Sequence, residues 1–131
     1  MQPDAVALVV AYLRAQEHLA DVAVVTARPD NVAGRVPVLL VEAVGAPAAS
    51  RMPWARRVHW HLGLQVWAAD GEATGIARGA LTALVAARDV RMPVGGRIVR
   101  ADPAAEPIDI PDRQAGDVQR VVATVDVAVR A

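Results

Sequence analysis

Apolar positions along this chain change period several times, and each change marks a predicted element. From Pro3 to Leu19, Val6, Val9, Val10 and Leu13 recur at steps of three and four, with Leu8 and Tyr12 widening the stripe. That spacing predicts a helix with one apolar face. Pro3 suits a first-turn position, and Asp4 complements the positive end of the helix dipole. Val22 to Thr26 is a short β-branched run ending before the turn-forming Pro29-Asp30-Asn31, which predicts a strand. Val36 to Val44 (VPVLLVEAV) is almost continuously apolar, as expected of a central strand covered on both faces. Pro37 stands at its start, where a missing amide is tolerated.

Gly45 to Arg57 (GAPAASRMPWARR) breaks the pattern with two prolines and three arginines, and is expected to be a long loop. Val58 to Ala68 (VHWHLGLQVWA) then alternates strictly. Val58, Trp60, Leu62, Leu64 and Val66 take one face of a long strand, and His59, His61, Gly63, Gln65 and Trp67 take the other. Asp70 is expected to open a second helix reaching about Arg88, with Glu72 in its first turn. Its apolar stripe is Ile76, Ala80, Leu81, Leu84 and Val85, and the small residues Gly75, Gly79, Ala83 and Ala87 allow a neighbour to approach closely. Val94 to Arg100 reads as a weaker strand loosened by Gly95-Gly96. Asp102 to Asp117 carries three prolines and five acidic residues and is expected to be a second loop. Val118 to Arg130 closes the chain as a long alternating strand. Val121, Ala123, Val125, Val127 and Val129 face one way; Arg120, Thr124, Asp126 and Arg130 face the other.

The predicted order is α-β-β-β-α-β-β in a single α+β domain spanning residues 1–131. Two helices packed on one face of a mostly antiparallel or mixed β-sheet is the economical two-layer arrangement of such elements. Composition supports a packed core: 54% of the 131 residues are hydrophobic and mean hydropathy is +0.28. That core is built of Val, Ala and Leu, with no Phe, so self-association is one route to further burial.

Charge and chemistry narrow the function. Fourteen basic and fourteen acidic residues cancel, and every basic residue is Arg. The neutral balance argues against broad electrostatic binding to DNA or membrane, and no sequence-specific nucleic-acid binding is expected. No apolar run approaches the roughly 20 residues of a membrane helix, and the N-terminus lacks a signal pattern. A soluble protein made in a cytoplasm is expected. Without cysteine there is no thiol nucleophile and no cysteine zinc site. The single serine, Ser50, has no glycine elbow, and Gly95-Gly96 lacks the spacing of a phosphate loop. His59 and His61 share a strand face, as a metal pair would, but lack an evident third ligand. Glu106, Asp109, Asp112 and Asp117 lie in a proline-broken loop, ill suited to positioning carboxylates for acid–base work or calcium. No enzyme activity and no cofactor are expected.

The most distinctive surface is a basic loop, with Arg51, Arg56 and Arg57 around Trp54, and an acidic loop carrying Glu106, Asp109 and Asp112. Arg and Trp are favoured where proteins bind one another. On a neutral chain, one basic and one acidic loop suit head-to-tail pairing between subunits.

The order and wording of these segments resemble the tail terminator proteins of long-tailed bacteriophages. PDAVALVVAYLRA, VAVVTARPDN and VPVLLVEAVG look like the N-terminal half of that family. LGLQVWAADGEATGIARGALTAL is similar to its signature region, in which a strand ends in a tryptophan-containing turn and enters an alanine-rich helix. A late proline-rich loop and the closing strand VVATVDVAVR extend the resemblance over nearly the whole chain. Each motif alone is generic, so specificity lies in order and spacing.

The resemblance implies a structural virion protein located at the head-proximal end of the tail and assembled in the host cytoplasm. Such proteins form a ring, usually a hexamer, that caps the tail tube, ends its polymerisation and joins it to the head connector. The implied partners are copies of itself, the major tail tube protein and the head–tail connector. The family shares no catalytic residues. A different head–tail joining or neck protein is the near alternative. A small metal enzyme using His59 and His61, or a monomeric ligand-binding α+β domain, are the alternatives of other classes.

Overall fold

A computed structural model of the chain describes residues 4–49 and 56–131. It is an α+β fold with two helices on one face of a mixed sheet. Helix α1 covers Ala5–Arg14 and helix α2 covers Glu72–Val85. Eight strands follow the chain: β1 Ala23–Val25, β2 Val38–Ala43, β3 Ala48–Ala49, β4 Val58–Ala68, β5 Val90–Arg91, β6 Arg97–Pro103, β7 Ile108–Asp109 and β8 Gln119–Arg130. Spatially the order is β1-β2-β4-β8-β6-β5, with β3 on β4 and β7 on β8; only β1 and β2 are parallel.

The five main predicted strands and both helices are present, but their bounds differ for identifiable reasons. The N-terminal helix stops at Arg14 because Gln16 turns extended, and Glu17–Leu19 forms a separate 3-10 turn that returns Leu19 to the core. Pro3 lies outside the described residues. Asp4 is the N-cap: its carboxylate accepts from the amides of Val6 and Ala7 at 3.0 and 3.3 Å. Asp4→Ala is therefore expected to cost about 1 kcal/mol of stability, read as a lower urea midpoint at unchanged slope. Asp70 does not open α2. Gly71 takes the N-cap position at φ 87° with no side-chain cap, and the helix ends at Val85 rather than near Arg88.

The predicted strand Val94 to Arg100 is displaced toward the C-terminus. Gly95 and Gly96, at φ 97° and 105°, form the tight turn of a β5–β6 hairpin instead of loosening a strand. The predicted loops each hold a two-residue strand, β3 in the first and β7 in the second, and the second loop also contains the end of β6. The order is thus α-β-β-β-β-α-β-β-β-β.

Helix α1 packs over β1 and β2, and α2 over β4, β8 and β6. Leu8, Val9 and Leu13 of α1 share one apolar core with Leu39 and Val41 of β2. Ala73, Ala77, Ala80 and Leu84 of α2 lie over Leu62, Leu64, Val125 and Val127. Ile76 is only partly buried and Val85 is exposed, so the buried stripe of α2 is rotated toward its alanines. That smallness lets α1 come close. The Tyr12 hydroxyl donates to the Ala83 carbonyl at 2.9 Å, and a Cβ on Gly79 would lie 3.3 Å from His18.

On the opposite sheet face, described residues form a cover at one end. Val32 and Ala115, carried on two 3-10 turns, close over Val38, Leu40 and Trp67 in a second small core. This explains why β2 is apolar on both sides: Leu39 and Val41 face the helices, and Val38 and Leu40 face the second core. Strand β8 is internal, paired with β4 on one side and with β6 and β7 on the other. A neighbour therefore cannot add to it. Strand β1 is a sheet edge, but Arg14 caps its Val24 carbonyl through Nε and Nη2 at 3.1 and 2.7 Å.

Candidate functional site

Strand register fixes where the charged loops lie. Arg56 and Arg57 immediately precede Val58, which pairs with Val129 at the C-terminal end of β8. Asp109 pairs with Val121, beside the other end of β4, where Ala68 meets Gln119. Nine strand steps lead from Arg57 to Val66, the β4 residue paired with Val121, so the two groups stand about 30 Å apart along the sheet. They cannot meet within one chain.

The basic end is larger than the loop alone. Arg97 pairs with Arg130 across β6 and β8, Arg91 with Arg97 across the hairpin, and Arg100 lies opposite Ala128. Asp89 neutralises Arg97 at 2.9 Å and Asp102 neutralises Arg100 at 2.9 Å. Arg56, Arg57, Arg91 and Arg130 make no ion pair among the described residues. Arg56 also stands in the left-handed backbone region at φ 50°, where a side chain costs about 1 kcal/mol. Arg51 and Trp54 lie outside the described residues.

The acidic end gathers Asp109, Asp112 and Asp117 with Asp70 and Glu72 at the start of α2. Gln119 ties them together, donating to Asp109 at 3.0 Å and accepting from the Gly71 amide at 3.2 Å. Asp112 differs from its neighbours. Its Oδ2 accepts from the Trp67 indole and from Arg28, both at 3.0 Å, and its side chain is only 11% exposed. The Arg28 guanidinium also lies 5.8 Å from the Trp67 ring centroid. Asp112 therefore anchors the acidic loop to the second core and does not join the exposed set. Glu106 is on the flank of the molecule, 84% exposed, with Arg78 at 3.7 Å.

Of the seven residues singled out from the sequence, Arg56, Arg57, Glu106 and Asp109 are thus on the described surface, but on separate parts of it. Arg91 and Arg130 were not singled out. Only the pairing of β5, β6 and β8 brings them beside Arg57, and no local motif marks them.

The remaining uncovered sheet face is polar. Gln65 donates to Glu42 at 2.7 Å, and His61 bonds to Asp126 on the adjacent strand. His59 is exposed beside them. Among the described residues no group of three or more His, Asp or Glu is arranged to hold a metal ion. No described helix is long and apolar enough to cross a membrane. Set against known proteins, the chain matches no family model, and no curated protein matches it significantly.

Proposed function

We propose that this chain is a structural assembly subunit that closes head to tail into a ring, as the tail terminators it resembles do. In this reading the ring caps a phage tail tube, stops its growth and offers its other face to the head connector. The observation that supports it is the charge separation along one sheet. Arginines without an ion pair among the described residues stand at one end and carboxylates about 30 Å away at the other, on a chain of zero net charge. Complementary ends this far apart suit heterologous head-to-tail contacts, and these generate rings or filaments.

A ring also suits the thin core. Large side chains are scarce, and Val44, Val85, Val94, Ile108 and Ile110 remain exposed. Association would bury part of this surface without requiring a cofactor or a reacting group. Light scattering across a concentration series at low and high salt tests the reading. Closed particles of one size that dissociate as ionic strength rises are expected. A chain that remains monomeric both alone and in the presence of tail tubes contradicts it.

A further inference from the structure

The flank of α2 and the segment following β6 enclose an open groove of about 760 Å³. Its walls are mixed: Leu81 and Val85 on the helix and Pro103 and Pro107 opposite supply apolar surface, and Arg78 and Thr82 add polar groups. Glu106 stands at its rim. The 3.7 Å contact to Arg78 is too long for a hydrogen bond, so the carboxylate retains acceptor capacity for a second guanidinium.

A matching projection exists elsewhere on the chain. Val94 is the most exposed large hydrophobic residue among those described, at 61%. It stands at the tip of the β5–β6 hairpin, preceded by Pro93. Two backbone bonds close the turn beneath it: Met92 to Gly96 at 2.9 Å and Gly95 to Met92 at 3.0 Å. Such a turn loses little conformational freedom on binding. Arg91 flanks the tip and has no ion pair among the described residues. No residue of the turn lines the α2 groove of its own chain, so the two surfaces are separate.

We propose that the Pro93–Val94 tip of one copy seats in the α2 groove of the next, with Arg91 of the first reaching Glu106 of the second. The contact rests on the ring reading and adds a second, partly apolar contact to the pairing of basic and acidic ends. The apolar tip meets the apolar part of the wall, and Arg91, without an ion pair among the described residues, meets the incompletely engaged carboxylate beside the groove. Because tip and groove are different surfaces, each copy offers one of each, and the contact propagates head to tail.

Disulfide trapping tests it, since the chain has no cysteine to interfere. Thr82 is exposed and lines the groove; Ala69 is exposed and remote from it. Mixed under mild oxidation, Val94→Cys and Thr82→Cys chains are expected to crosslink at least about tenfold faster than Val94→Cys and Ala69→Cys chains, because docking raises effective concentration. Arg91→Glu and Glu106→Arg should each weaken association and should restore it when combined. Trapping no faster than the Ala69 control overturns the contact. Light scattering then separates the failures: rings that persist without the crosslink leave the ring reading standing, whereas chains that neither crosslink, assemble nor cap tubes overturn both.

Discussion

Replacing Trp67 with alanine is expected to remove about 3–5 kcal/mol of stability, the largest loss of any single substitution considered for this fold. Trp67 is 1% exposed and is the largest side chain in the second core, between Val38, Leu40, Val32 and Ala115. Truncation opens a cavity that two short 3-10 turns cannot collapse to fill. It also removes the indole donor from Asp112 and the aromatic face from Arg28. Trp67→Phe should cost less, because most of the volume remains while the hydrogen bond is lost. Asp112→Ala should cost about 1–3 kcal/mol, since it leaves a buried indole N–H without its acceptor. Urea unfolding monitored by circular dichroism gives the order. If Trp67→Ala costs under 1 kcal/mol, the second core does not hold the acidic loop in place.

Reversing Arg56 and Arg57 together to glutamate is expected to weaken self-association about 100-fold, equivalent to ~3 kcal/mol. Both are exposed and make no ion pair within the described residues, so the monomer should unfold at nearly the wild-type midpoint. The effect falls on assembly because the substitution places carboxylates against the carboxylates of a neighbouring acidic end. A compensating Asp109→Arg should recover part of the loss, which general destabilisation would not allow. Wild-type salt dependence should flatten in the reversed variant, since fewer charges remain to be screened. Sedimentation velocity at two salt concentrations reads both quantities. Unchanged particles in the reversed variant would remove the basic end from the interface.

Much of the fold is legible in sequence where a period persists. Eleven alternating residues set Val58–Ala68 to its observed bounds, and the β8 pattern is displaced by one residue at its start. Two-residue strands such as Ala48–Ala49 and Ile108–Asp109 are too short to show any period, so the loops that hold them read as structureless. The start of α2 departs from its sequence signal because Asp70 is a common cap, whereas the chain reaches the helix through Gly71 at positive φ. Trp67 was placed on the correct face. Its burial was not legible, because its cover comes from turns that carry only Val32 and Ala115 inward.

The candidate interface divides in the same way. Arg56, Arg57 and Asp109 stand out because local composition marks their loops. Asp112 belongs to that composition too, yet its partner Arg28 is 84 residues away and nothing local reveals the pair. Arg91 and Arg130 join the basic end only through strand register, and the groove beside Glu106 arises only once α2 lies over β6.

The claim that this chain ends a tail is tested most directly by adding it to polymerising tail-tube subunits from the same genome and imaging the products. The account predicts tubes bearing one ring at one end, with mean length falling as more chain is added. Tubes whose lengths and ends are unchanged at every ratio would contradict it.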